Sequence, residues 1–432
     1  MTADLETIKA LADAAQVAPV QSGDDGRGPE RPKTKISERI NRDLLAWGYD
    51  LWLNDMDDGL QNGANRMTDA DRAQLKMRAR DEGYANPKVR LLSALDDAIL
   101  ALAAQRRRHP VRDYLNALRW DGGDHIGILS GFFEDKHDPI TYENGTRRTV
   151  FHAFLRRWLV GSIAKIFGDE NAARSNFALV LASDQDAGKS HFANWLCPLG
   201  EYFIERHVSP DDKDCSLQRC RRWIWEISEM GATTRRADVE SLKAFITTTK
   251  VIDRAPYGHF DLIKPAVASY VGTINPDGAG FLSDSTGNRR FAVVDLARID
   301  QKYSARIAVG DVWAQAMQLW RNDPKGYRFS AEESTIQRKN AAEHTAPDMM
   351  ADALAQIFDF DTSKIGEAEW ALSSSRILEA LRTFAGVSRG RDETQGRELA
   401  RSLKKVWQVT STRSNGATVY RGLCIKSEFA NK

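Results

Sequence analysis

Residues 177–196 read FALVLASDQDAGKSHFANWL: an apolar run, Phe177–Ala182, a polar turn containing Gly188-Lys189-Ser190, and then an amphipathic helical stretch. Strand, loop and helix in this order are the context a phosphate-binding loop requires, because loop N–H groups and the positive end of a helix converge on one anion. On this reading Asp186, Ala187, Gly188, Lys189, Ser190 and His191 bind ATP. Lys189 reaches the β- and γ-oxygens and the Ser190 hydroxyl holds Mg²⁺. Ser183 replaces the usual first glycine and Asp186 stands where a second is common, so the pattern is incomplete. The tripeptide alone would support only a surface turn before a helix.

Further along, the runs RRWIWEI, ASYVGTIN and RRFAVVDL alternate with helical segments, as strands buried on both faces of a three-layer α/β sheet do. Trp223–Trp225 leads into Glu226, with Glu229 just beyond. A phosphoryl-transfer site needs one acid for Mg²⁺ and another group to orient water, and either glutamate suits either role. A solvated acidic turn after a strand is the plainer alternative. Asn275 closes the next apolar run, where a polar side chain meets a γ-phosphate or the lytic water; Asn before Pro276 is also a common turn former. Arg289 and Arg290 head the last run. Arginines from a neighbouring subunit neutralise charge in such transition states, which predicts an oligomer, whereas a solvated strand end predicts nothing further.

The chain has 432 residues, enough for two or three domains, and its 42% apolar and 28% charged residues indicate packed cores. Sixty-one basic against 60 acidic residues leave a net charge of +1, so any nucleic-acid contact must rest on local patches. Cys197, Cys215, Cys220 and Cys424 lack the paired spacing of a zinc site. Few cysteines and no apolar leader at Met1 predict the cytoplasm. Phe151–Phe167 is interrupted by Arg156, Arg157 and Lys165, which predicts an amphipathic helix and no membrane span.

Four segments follow. Residues 1–35, rich in Gly, Pro and charge, predict a flexible tail. Residues 36–125 predict an all-helical domain, with Leu44, Leu45, Trp47, Leu51, Leu95, Ala98, Ile99 and Leu102 in buried stripes. Arg106, Arg107 and Arg108 at its end are a solvated basic face or a DNA contact. Residues 126–345 predict the ATPase core. Residues 364–428 run helix, helix, hairpin, the order of a winged helix, with Asn415-Gly416 at the hairpin turn. Arg397, Arg401, Lys404 and Arg413 on its second helix and wing are candidate phosphate contacts.

Over roughly residues 105–345 these motifs together resemble the virulence-associated protein E family, grouped with superfamily 3 helicases of phages, plasmids and integrated elements. The resemblance rests on HPVRDYLNALRWDG, Gly188-Lys189-Ser190, Lys213-Asp214, WIWEISEM, Leu242-Lys243, Asp253-Arg254 with Pro256-Tyr257-Gly258, and Gly272–Phe291 ending in TGNRRF. It implies an AAA+-like ATPase ring, a hexamer in such families, acting on single-stranded or forked DNA during element replication. It also implies a hairpin at about 253–264 that enters the ring channel, carrying Tyr257, His259 and Lys264 to DNA phosphates. Relatives often carry a primase ahead of the helical region; this chain has no room for one, so priming is expected from a separate protein. A nucleotide-binding DNA scaffold or initiator without unwinding activity is the competing expectation, favoured by Ser183 and Asp186.

Overall fold

The computed structural model describes residues 36–84, 91–209, 212–228, 230, 236–253, 262–275, 281–282, 288–345, 349–385, 392–414 and 416–430. The chain divides into two compact units, one from Met1–Asn54 and Gly59–Arg107, the other from Asp55–Asp58 and Arg108–Lys432. Their boundary lies at Arg107, whereas the sequence placed the joint near residue 125.

In the first unit, helices Ile36–Ala46, Asp69–Ala79 and Leu91–Ala104 are joined by short strands β1 (Leu51–Asn54), β2 (Leu60–Asn62), β3 (Asn65–Arg66) and β4 (Arg107–Arg108). The strands run in the order β3-β2-β1-β4, so the expected all-helical domain is corrected to a mixed one. The LWLN run of β1 is buried at all four positions, too short and too continuous to show alternation. Gly63 turns the chain between β2 and β3 at φ 57°, and its carbonyl accepts from Trp52 Nε1 at 2.7 Å. Leu44, Leu51, Leu75 and Ala103 are fully buried in this core. Leu45, expected in the same stripe, is 58% exposed.

The second unit is built on six strands: β5 (Phe133–Asp135), β8 (Ala178–Ala182), β9 (Phe203–Glu205), β10 (Ile224–Ile227), β13 (Ser269–Ile274) and β14 (Phe291–Ile299). Two antiparallel pairs stand beside them, β6 (Ile140–Thr141) with β7 (Arg147–Arg148) and β11 (Lys250–Asp253) with β12 (Leu262–Pro265). The sheet order is β5-β14-β8-β13-β10-β9; β5 is antiparallel and the other five are parallel. Every residue of β8, β10 and β13 is buried, as parallel strands covered on both faces require. On one face Trp158, Trp223 and Trp313 pack together, with ring centroids 4.4 Å apart for Trp223–Trp313 and 6.4 Å for Trp158–Trp313. On the other face Trp225 and Tyr270 meet Phe245 of the helix Arg236–Ile246.

The helix Val150–Ile166 is a core helix, not the amphipathic one expected: 14 of its 17 residues are buried. Its cations explain the difference. Arg157 pairs with the buried Glu333 at 2.8 Å, and Lys165 donates to Asn176 Oδ1 at 2.8 Å and Ala268 O at 2.7 Å. Among the described residues no helix is long and apolar enough to cross a membrane.

The C-terminal segment contains helix Met349–Ile357, β15 (Phe358–Phe360), β16 (Ala371–Ser373), helices Ser374–Phe384 and Asp392–Trp407, β17 (Ser411–Ser414), β18 (Ala417–Arg421) and β19 (Leu423–Ile425). Strands β16-β18-β17 form one small sheet and β15-β19 another, around Ile377, Leu381, Leu399, Leu403 and Leu423.

Candidate functional site

The loop 183–188 joins β8 to the helix Lys189–Trp195. Two of its residues take the left-handed conformation, Asp186 at φ 60° and Gly188 at φ 92°. At Gly188 the left-handed conformation calls for glycine, whereas the 2.7 Å approach of a Cβ to Gln301 Nε2 could be relieved by that flexible side chain turning aside.

Lys189 is buried, and its Nζ donates to Ser183 O at 2.7 Å, Asp184 O at 2.8 Å and Asn275 Oδ1 at 3.0 Å. Burial lowers its pKa, against the opposing pull of Asp184 and Asp186. Ser190 Oγ donates to Glu226 Oε1 at 2.5 Å, and Thr273 Oγ1 approaches the same oxygen at 3.4 Å. Glu226 is fully buried, and its Oε2 has no hydrogen-bond partner. Burial raises its pKa, with the Glu205 carboxylate acting in the same direction and Ser190 opposing. A hydroxyl beside a carboxylate with one unpaired oxygen is a hard donor set that fits Mg²⁺.

The sheet order explains why these residues meet. β13 lies between β8 and β10, so Asn275, just beyond β13, falls between the loop that follows β8 and the acid of β10. Thr273 shares the strand face of Asn275 by the two-residue repeat, a signal available in the sequence that pointed to Asn275 alone. Ser183 was read only as a missing glycine; here its carbonyl is a partner of Lys189. His191 Nδ1 is 2.8 Å from Tyr303 Oη, which holds the ring to the residue after β14 and its turn.

Arg289 and Arg290 lie at the other end of the sheet. They precede Phe291, which is level with Ala178 at the start of β8, whereas Lys189 follows that strand's end. A strand of this length separates them by roughly 15 Å. Both line a cavity of about 510 Å³ with Arg174, Arg328 and Arg338. Those three come from distant parts of the chain and carried no local signal.

Glu229, Tyr257 and His259 lie outside the described residues. Lys264, on β12, donates to Asp55 O at 2.5 Å and Asp58 Oδ2 at 2.8 Å, and is largely buried. Ile252 and Ile263 are cross-strand partners on β11 and β12 and are 68% and 65% exposed. On the helix Asp392–Trp407, Arg397 and Lys404 are exposed and Arg401 is half-buried, while Leu399 and Leu403 are buried in the core; Arg413 is exposed on β17.

A family model described as the virulence-associated protein E-like domain matches residues 115–346, over half of the chain. No curated protein matches. Among solved structures, the apo C-terminal region (305–718) of NrS-1 is similar at 11% identity with a TM-score of 0.45, over 90% of this chain and 100% of that one. The A form of the same region is similar at 12% identity and TM-score 0.40, over 90% and 99%. The motifs quoted above and this match agree, and the chain belongs to the virulence-associated protein E-like family.

Proposed function

We propose that the chain is a P-loop ATPase of superfamily 3 type that moves along or opens DNA as a ring, in the replication of a phage, plasmid or integrated element. The meeting of Lys189, Ser190, Glu226 and Asn275 at one end of adjacent parallel strands carries this reading. MgATP supplies the transferable phosphoryl group. Lys189 exchanges Ser183 O and Asp184 O for phosphate oxygens, Ser190 and Glu226 hold the cation, and Asn275 orients the γ-phosphate or lytic water. Glu229 is the candidate for orienting that water if Glu226 holds the metal.

Since Arg289 and Arg290 stand at the opposite end of their own sheet, they serve a neighbour's site, and the working form is a homo-oligomeric ring such as a hexamer. The β11–β12 pair is the base of the channel hairpin. Tyr257 and His259 are its DNA contacts, and Lys264, engaged with Asp58, braces its return limb until DNA competes for the ammonium. The C-terminal segment is read as a winged helix whose Arg397, Arg401, Lys404 and Arg413 meet DNA backbone. A cytoplasmic setting and a separate primase partner complete the proposal.

One observation favours the competing reading of a nucleotide-binding scaffold or initiator without unwinding: the Lys189 ammonium already has four acceptors, two of them on Ser183. ATP hydrolysis by the purified chain, with and without single-stranded DNA, decides between them when particle size is followed by light scattering. The motor reading expects DNA stimulation in a ring-sized particle and a loss of about 100-fold or more in Lys189→Ala. Assembly with ATP but no hydrolysis would leave the scaffold.

A further inference from the structure

We propose a second anion site, apart from the phosphate-loop residues, in which Arg148, His152 and Arg156 take the terminal phosphate of a small phosphomonoester. The site is a pocket of about 460 Å³ at the start of the helix Val150–Ile166, and none of its lining residues comes from 183–191.

The charges on its walls do not balance locally. Glu333 is already committed: its Oε2 accepts from Arg157 Nε at 2.8 Å, and its Oε1 accepts from an Arg157 terminal nitrogen at 3.1 Å and from Tyr142 Oη at 2.7 Å. Asp124 Oδ1 accepts from Gln315 Nε2 at 2.9 Å and from the Gly127 N–H at 3.1 Å. Among the described residues neither Arg148 nor Arg156 pairs with a carboxylate. Arg157 balances Glu333, so Asp124, held only by neutral donors, stands against both Arg148 and Arg156 and leaves one positive charge in excess, with Arg156 partly withdrawn from water. Desolvated charge without a partner is costly, and an entering anion offsets that cost.

His152 adds an independent observation. It is 8% exposed, lines the same pocket, and its Nδ1 is buried with no hydrogen-bond partner. The charges that act on its ring, Arg148, Asp124, Arg156 and Glu333, are those of the pocket wall. Burial and then the nearby Arg148 push its pKa down to about 4, and burial with Arg157 beside it also lowers Arg156. Both shifts come first from burial, with the neighbouring guanidinium groups adding to them against the pull of Asp124 and Glu333.

The geometry selects the ligand class. Guanidinium forks match phosphate oxygens two at a time, and a neutral imidazole N–H supplies a further donor. The ring is almost fully buried, so a phosphate bonded to carbon at one end only, with its free oxygens leading, reaches deepest toward it. A phosphodiester within a nucleic-acid chain is tethered at both ends and cannot.

The test uses full-length Lys189→Ala protein, which weakens the phosphate loop, titrated calorimetrically with inorganic phosphate and with a nucleoside monophosphate. Nitrogen resonances of the His152 ring are followed in parallel. Binding of both with a shift at His152 is expected. Adding Arg148→Gln, a change on an exposed side chain that leaves the core intact, weakens binding about tenfold, as loss of one charge-assisted contact does. Arg156→Lys, which keeps the charge but not the fork, weakens it less. The proposal fails if phosphate does not bind in the Lys189→Ala background, or if Arg148→Gln and Arg156→Lys bind it unchanged. It fails equally if an oligonucleotide lacking terminal phosphates displaces it from His152.

Discussion

Asp186 holds a left-handed backbone at φ 60° in a loop whose phosphate-binding pattern commonly has glycine there. An L-residue pays roughly 1–2 kcal/mol for that conformation, while glycine adds about 0.5–1 kcal/mol of unfolded-state entropy. Asp186→Gly is therefore expected to stabilise the unit by roughly 0.5 kcal/mol, read as a higher urea midpoint with unchanged slope; a lower midpoint would show that the carboxylate contributes more than the strain costs. That the position suits glycine was visible from sequence, as was the order Gly188-Lys189-Ser190. The contacts of Lys189 with Ser183 O and of Thr273 with Glu226 were not, because they depend on which strands lie side by side.

At the scale of elements, the long apolar runs became strands of the central sheet, since burial on both faces writes itself as uninterrupted hydrophobicity. β1, β2 and β3, of two to four residues, left too little pattern to distinguish them from helix. Yet Asn62-Gly63 was the same turn signal that marked 415–416. The helix Val150–Ile166 misled for the opposite reason: its cations read as a polar face although Lys165 is buried against Asn176 and Ala268. Burial lowers the Lys165 pKa well below its ordinary value. Between that folded value and the unfolded value near 10.4, the unfolded chain binds more protons, so stability rises with pH. Lys165→Met should flatten the rise in urea midpoint from pH 7 to 9.5, and an undiminished slope would place its origin elsewhere. The variant also loses about 1–3 kcal/mol overall, because Asn176 Oδ1 loses its Lys165 donor and Ala268 O keeps only the longer bond from Asn176 Nδ2 at 3.2 Å.

For the whole molecule, the separation of Lys189 from Arg289 and Arg290 across the sheet makes a completed site a property of two subunits under the proposed mechanism. Glu226→Gln protein and Arg289→Ala or Arg290→Ala protein, each inactive alone, should on mixing recover about a quarter of wild-type hydrolysis if subunits pair at random around a cyclic ring. No recovery for either arginine would return both to the role of surface residues beside Arg174, Arg328 and Arg338. The Trp158–Trp313–Trp223 cluster links the helix Val150–Ile166, the helix Val309–Asn322 and the entry to β10, and each indole N–H is already donated: to Tyr270 O, Leu196 O and Ser162 Oγ. Three dry, close indoles at the strand that bears Glu226 make this core its own optical reporter. The buried share of the protein's ultraviolet emission follows the arrival of water at the centre of the parallel sheet, above the steady signal of exposed indoles such as Trp120, without any dye attached.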